Sequence, residues 1–267
     1  MVHSPIKWQG GKARLRRVIL PLIPEHTCYV EPFFGAGWVF FAKPKSKVEV
    51  ISDVNTELIN FFQVVKSDLT GFLNQFDWTL YSREEFVRVM DRRHTERDPL
   101  TRAYDFYYRV QSHFGGKYNN AYDWGYGKSK PAFDFSNIRS RIEAAHHRLC
   151  GVYIENRPFH AVIPRYDGPD TFFYCDPPYF GLTGYHQHPF TETEHLRLRD
   201  ILANVKGKWL LSINDHPDVR RWYKDFHMDP VDVHYSISRQ KTGRKSGELL
   251  IRNYPLKSNL REEVEQS

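Results

Sequence analysis

Asp176, Pro177, Pro178 and Tyr179 form the tetrapeptide whose residue types and order say most about chemistry. They follow the apolar run TFFYC (171–175), which reads as a buried strand, so the Asp176 carboxylate stands at the strand's carboxyl end. Ligands bind at that edge in open α/β sheets. Pro177 and Pro178 fix φ and remove two N–H donors, leaving nearby carbonyls to accept. The exocyclic amine of a base has two N–H groups, and Asp176 with the Pro177 carbonyl supplies two acceptors. Tyr179 adds a ring suited to stacking on that base. The plain alternative is a Pro-Pro turn that ends a strand.

A second constellation lies nearer the N-terminus. In VEPFFGAGW (30–38) a strand runs into a turn holding Gly35 and Gly37, where backbone approaches a ligand without a Cβ in the way. Asp53 follows about twenty positions later at the end of VEVIS (48–52), the place where a carboxylate accepts from ribose hydroxyls. Together these features point to an adenosine-containing cofactor. Alone, a G-x-G turn is also an ordinary structural feature. Gly10-Gly11-Lys12 lacks the preceding strand and the spacing of a phosphate loop.

The elements that position these residues follow from periodicity. Lys12 to Leu22 reads as a helix, CYVEP (28–32) and VEVIS as strands, and Thr56 to Phe76 as one helix with Leu58, Phe62, Val65, Leu69 and Phe76 on its apolar face. This β-α-β-α opening is the signature of an α/β fold with a parallel, doubly wound sheet. Ser82 to His94, Pro99 to Gln111 and Ser136 to Leu149 read as helices around a loop of Gly, Tyr, Asn and Lys. We read residues 66–150 as an insertion between a half at 1–65 and a half at 151–267. Strands resume with VYIEN (152–156), TFFYC and WLLSI (209–213). A helix begins at the capping-box pattern Thr191-x-x-Glu194, and Pro217 to Phe226 reads as another. VDVHYSIS (231–238) and GELLIRNY (247–254) read as an antiparallel hairpin at the sheet edge.

The 267 residues, 40% of them hydrophobic, suffice for one large domain or a domain with an insertion. Three cysteines, Cys28, Cys150 and Cys175, with no C-x-x-C pair, argue against a disulfide framework and a zinc ribbon and for a reducing, cytoplasmic setting. The start MVHSPIKWQGGK has no apolar signal region, and no apolar run approaches the ~20 residues that span a bilayer. The His186-x-His188, His195 and His146-His147 histidines lack the company of a metal motif, so no metal is expected. The net charge is +6, and the span Arg102–Arg148 holds eight Lys or Arg against four Asp or Glu. Eleven aromatic residues fall between Tyr104 and Phe135. A polyanionic partner fits this distribution.

Four ordered motifs, KWQGGK (7–12), EPFFGAG (31–37), SDVNTELIN (52–60) and YCDPPYF (174–180), resemble the Dam-type DNA adenine-N6 methyltransferases. The resemblance extends to VYIENRPF (152–159), SINDH (212–216) and SGELLIRNY (246–254), nearly the whole chain outside the insertion. It implies a Rossmann-like class I methyltransferase sheet, with the insertion as a mainly helical target-recognition domain. It also implies S-adenosylmethionine as cofactor and double-stranded DNA as partner, with no membrane and no obligatory protein partner, in a prokaryotic cell or a phage-infected host. Trp8 and Lys12 would meet the methionine end or sulfonium side of the cofactor. Glu31 to Gly37, Phe34 and Gly35 included, would form its loop. Asp53 would hold the ribose, Asn156 to Phe159 would lie near its adenine, and Asp176 would border it. Asp176, Pro177 and Tyr179 would take the flipped target adenine. Gln9 stands where many relatives have Ala. FGGKYN (114–119) stands where the best-known members carry N-G-x-x-R-x-N, so a particular recognition sequence does not carry over.

In the insertion, Lys117, Lys128, Lys130, Arg139 and Arg141 suit phosphates, and Tyr118, Asn119, Asn120, Tyr122, Trp124 and Tyr126 suit base edges or the gap left by a flipped base. Lys7 is a DNA contact on the same terms, as are Arg239, Lys241, Arg244 and Lys245. A solvated helical face with an aromatic mini-core is the bland reading of the same residues. The loop 180–190, with Gly181 and Gly184, reads as a lid over a bound base. The whole reads as direct methyl transfer to N6 of a flipped adenine, with no cysteine nucleophile. Its rivals are a non-catalytic DNA-binding module, an NAD-dependent oxidoreductase, and methyl transfer to RNA, a free base or cytosine N4.

Overall fold

The computed structural model describes residues 2–8, 10–92, 95–113, 123–125, 135–181, 190–232 and 247–256. The chain divides into two compact units. One comprises Met1–Ala13, Phe34–Pro44 and Asp53–Asn156; the other comprises Arg14–Phe33, Lys45–Ser52 and Arg157–Ser267. The fold is mixed α/β, as the sequence pattern predicts.

The second unit carries β1 (Cys28–Glu31), β2 (Val48–Ser52), β4 (Thr171–Cys175), β5 (Lys208–Asn214), β6 (His227–Asp232) and β7 (Gly247–Arg252). These strands lie in the order β2-β1-β4-β5-β7-β6. The first four are parallel, with Val30 beside Val50 and Phe173, and Phe173 beside Trp209. Every residue of β4 is buried, which is why TFFYC is an unbroken apolar run rather than an alternating one. On one face, Val30, Val50, Phe173, Trp209 and Leu211 form a core with Phe159, Val162 and Ile163 of α8 (Phe159–Tyr166) and Leu198 and Leu202 of α9 (Glu192–Asn204). Val219 of α10 (Pro217–Trp222) joins it.

The antiparallel pair is β7 with β6, as expected, but β6 starts at His227 rather than Val231. Pro230, which breaks the apolar pattern, sits inside it, tolerated because β6 has a described neighbour on one side only within this unit. The continuation 233–238 and the basic loop residues Arg239, Lys241, Arg244 and Lys245 lie outside the described residues. Two helices are shorter than periodicity suggests. The first, α1 (Arg16–Leu22), follows a turn of i→i−3 hydrogen bonds through Arg14 and Leu15 instead of starting at Lys12. The other, α10, ends at Trp222, after which Tyr223 and Phe226 pack on Trp209.

The first unit is helical apart from β3 (Tyr153–Glu155). It contains α2 (Trp38–Ala42), α3 (Thr56–Ser67), α4 (Leu69–Asn74), α5 (Arg83–Asp91), α6 (Pro99–Ser112) and α7 (Ile138–Leu149). Its core is aromatic: Phe61 stacks on Tyr107 at 5.5 Å, and Phe34, Phe40, Phe41 and Phe62 meet mostly edge to face. The single helix expected over 56–76 is broken at Asp68. Its side chain leaves the helix pattern to accept the Gly71 N–H at 2.9 Å, starting α4 while the apolar spacing continues across the break. Asp105, buried in α6, is neutralised by Arg92 and Arg97. Among the described residues no helix is long and apolar enough to cross a membrane.

Candidate active site

In the first unit, the glycine turn and Asp53 are one hydrogen-bonded assembly. Gly35 and Gly37 both have positive φ, +47° and +64°, a region that L side chains rarely enter. A Cβ on Gly37 would lie 2.4 Å from the Phe34 ring, so this turn closes only with glycine there. Asp53, the residue after β2, accepts the Gly35 N–H at 2.9 Å through one oxygen and the Asn55 N–H at 2.9 Å through the other. Asn55 in turn caps α3, accepting from Glu57 and Leu58. Asn156 donates to the Asp53 carbonyl at 2.8 Å and accepts from Thr56 at 3.0 Å. Trp8 is half-buried, with its indole beside Gly35 and 6.0 Å from the Phe106 ring. Lys12 is buried, at 4% exposure. Phe34 points into the aromatic core, 4.9 Å from Phe62, so its ring supports the turn from beneath.

In the second unit, Asp176 follows the last residue of β4. Its Oδ1 accepts from Ser212 Oγ at 3.2 Å, and Ser212 also meets the Tyr174 hydroxyl at 2.9 Å. Pro177 is buried, whereas Pro178 and Tyr179 are half-buried. The Tyr179 hydroxyl donates to the carboxylate of Glu248, itself 1% exposed. Phe180 is held through its backbone: Asn214 accepts its N–H at 2.9 Å and donates to its carbonyl at 3.0 Å. Glu31, at the end of β1, is buried and accepts from Tyr29 at 2.7 Å. Burial, then the Glu31 charge, raises the Tyr29 hydroxyl well above the phenol range. Phe159 is buried and stacks on half-buried Phe33 at 5.4 Å. Burial, with Glu31 and Asp176 nearby, pushes the Cys175 thiol up, and its side chain packs in the core of the sheet.

Of the residues expected on DNA, Lys7 is exposed, with its ammonium 3.4 Å from the Gln111 carbonyl. Arg139 is exposed and lies 3.6 Å from Asp77. Trp124 packs between Tyr81 and the Arg83 guanidinium, and Arg141 faces the Tyr107 hydroxyl. Lys117, Tyr118, Asn119, Asn120, Tyr122, Tyr126, Lys128 and Lys130 lie outside the described residues, as does most of the 180–190 loop. Ser212, Asn214 and Glu248, which lie within SINDH and SGELLIRNY, are functional candidates that residue type and spacing do not single out. The signal was a polar residue interrupting each of two apolar strands. Among the described residues no group of three or more His, Cys, Asp or Glu is arranged to hold a metal ion.

The family model described as D12 class N6 adenine-specific DNA methyltransferase matches residues 8–237. A DNA adenine methylase of Salmonella typhi is 29% identical, covering 93% of this chain and 94% of that protein. The DNA adenine methylase of Escherichia coli (strain K12) is 28% identical with the same coverage. A DNA N-6-adenine-methyltransferase of Escherichia phage P1 is 30% identical over 88% of this chain and 33% of its own length. A glycine turn tied to a carboxylate, a Asp-Pro-Pro-Tyr turn at a strand end and a match running through both make the conclusion direct: this chain belongs to the D12 class N6 adenine-specific DNA methyltransferases.

Proposed function

We propose that the chain transfers a methyl group from S-adenosylmethionine to N6 of an adenine flipped out of double-stranded DNA, with Asp176 and the Pro177 carbonyl receiving the amine. The observation that carries this reading is the Asp176 carboxylate at the carboxyl end of β4, followed by two prolines that cannot donate and a tyrosine ring. The flipped amine would donate its two N–H groups to these acceptors, leaving its lone pair out of the base plane for methyl transfer, and the proton N6 then loses would pass to Asp176 or to solvent. The carboxylate also stabilises the positive charge that develops on N6. Tyr179 stacks on the base.

The donor set of the first unit fits a nucleoside: an indole beside a positive-φ glycine turn, and a carboxylate oxygen pair that together can accept up to four hydrogen bonds. Bound there, S-adenosylmethionine supplies an electrophilic methyl group. Trp8, Gly35, Asp53 and Asn156 are the residues assigned to hold it, with Lys12, Glu31, Gly37 and Phe159 in support. The span 66–150 is assigned to target recognition, with its basic excess and Arg139 meeting phosphates.

The test is transfer of labelled methyl from S-adenosylmethionine to unmethylated duplex DNA, with nucleosides separated afterwards. The wild type yields N6-methyladenine, and Asp176→Ala loses more than ~100-fold in rate. Equal incorporation by the two proteins overturns the role of Asp176, and label in N4-methylcytosine overturns the choice of base.

A further inference from the structure

We infer that the adjoining ends of β5 and β7 form a template that holds the Asp-Pro-Pro-Tyr-Phe turn in its working shape, with Ser212, Asn214 and Glu248 as positioning residues for the reaction. The inference rests on the proposed roles of Asp176 and Tyr179.

The turn cannot hold itself. Pro177 and Pro178 have no N–H, so the ladder that pairs β4 with β5 cannot continue past Cys175. Side chains take over where the ladder stops. Ser212 and Asn214 are two apart in β5 and therefore share a sheet face, and Asn214 is paired across the ladder with Glu248. Three polar residues thus stand together on one face of strands that are otherwise apolar, WLLSIN and GELLIR. Each takes a different residue of the turn. Ser212, fully buried, directs its hydroxyl to Asp176 Oδ1 at 3.2 Å, and the Tyr174 hydroxyl 2.9 Å away completes its hydrogen bonding. Glu248 accepts from the Tyr179 hydroxyl and so fixes the far end of a side chain whose near end is fixed by the backbone. Asn214 binds both N–H and C=O of Phe180, as a neighbouring strand would.

The template is itself braced. Asp215 N–H donates to the Gly247 carbonyl at 2.8 Å, and its carboxylate receives Arg220 at 2.6 and 2.7 Å. Phe180 is packed edge-on by His195, His216 and Trp222 at 4.8 to 5.4 Å. Burying the Glu248 carboxylate in this sheet costs stability unless it is paired, and its partner, like that of half-buried Asn214, is the turn that bears the proposed chemistry.

The experiment is steady-state kinetics on the full chain with labelled S-adenosylmethionine and unmethylated duplex DNA, alongside calorimetric binding of S-adenosylmethionine. Glu248→Leu, which removes one hydrogen bond to a charged group, and Asn214→Ala, which removes two to the Phe180 backbone, are expected to lower kcat ~10- to 100-fold, while KM for S-adenosylmethionine stays within about threefold. Glu248→Gln, which still accepts from Tyr179, recovers most of the kcat lost in Glu248→Leu. If either truncating variant shows no cooperative thermal unfolding and so fails to fold, Tyr179→Phe carries the test. It removes only the hydroxyl, and kcat falls while cofactor binding holds. Wild-type kcat in folded Asn214→Ala or in Tyr179→Phe overturns the inference, as does a loss of kcat that Glu248→Gln does not recover. If Asp176→Ala is inactive while those variants turn over normally, only the positioning inference is lost. If Asp176→Ala is itself active, the reading beneath it falls.

Discussion

Asp53 reaches the Gly35 N–H with one oxygen and the Asn55 N–H with the other, so a single carboxylate joins the glycine turn to the start of α3. A side chain proposed to hold a ribose is therefore also part of what shapes the loop around it, and its two contributions can be separated. Asp53→Ala is expected to lose ~2 kcal/mol of stability in urea unfolding, from two backbone donors left without their acceptor. It is also expected to weaken S-adenosylmethionine binding at least ~10-fold by calorimetry. Asp53→Asn keeps one acceptor oxygen and recovers part of the stability. Full recovery of stability together with undiminished cofactor binding would remove the carboxylate's charge from both roles.

The elements most legible in the sequence were those buried on both faces. β4 and β5 read as apolar runs because they are buried along their length, and Thr191-x-x-Glu194 announces a helix start by its cap, which the structure places at α9; the Asn55 cap of α3 shows only in the structure. The break between α3 and α4 was not legible because Leu69, Phe72, Leu73 and Phe76 continue the apolar spacing across it, and a cap at Asp68 leaves no gap in that spacing. Asp68→Ala should cost ~1 kcal/mol in thermal or urea unfolding through loss of that cap, with methylation kinetics unchanged. An unchanged midpoint would mean that packing of Phe72 and Leu73 alone starts α4. The eight-residue α8 escaped notice because Pro158 precedes it and Pro164 lies inside it, and prolines normally mark loops. Residue types picked out the glycine turn, Asp53 and the Asp-Pro-Pro-Tyr turn, and the structure shows the first two hydrogen-bonded together and the third directly after β4. They did not reveal directions: Phe34 turns inward, and Ser212, Asn214 and Glu248 act on residues far away in sequence, beyond the reach of any local spacing rule.

At the scale of the molecule, acid stability turns on a buried ring. His195 in α9 is 2% exposed, among Phe180, Phe190 and Trp222, and burial lowers its pKa from 6.5 to about 4. The unfolded chain takes up the proton near pH 6.5, while the folded one resists it until about pH 4. Stability is therefore full above pH 6.5 and falls as the pH drops toward 4, by on the order of 2–3 kcal/mol. The melting temperature of the wild type should fall more steeply over that range than that of His195→Leu. Parallel curves would take His195 out of the acid response.

The division of the chain has a consequence for how the protein is made. Each unit is assembled from three separated segments, and the chain changes unit at residues 13–14, 33–34, 44–45, 52–53 and 156–157. β1 emerges from the ribosome early, yet it waits for Thr171–Phe173 before β4 can pair with it, and β5 waits for its β7 partner until Gly247–Arg252 is complete. Neither unit exists as a continuous fragment, so a chain released early leaves open strand edges of strongly apolar sequence. Open apolar strand edges of this kind favour aggregation until the pairing strand, Thr171–Phe173 for β1 and Gly247–Arg252 for β5, has been made.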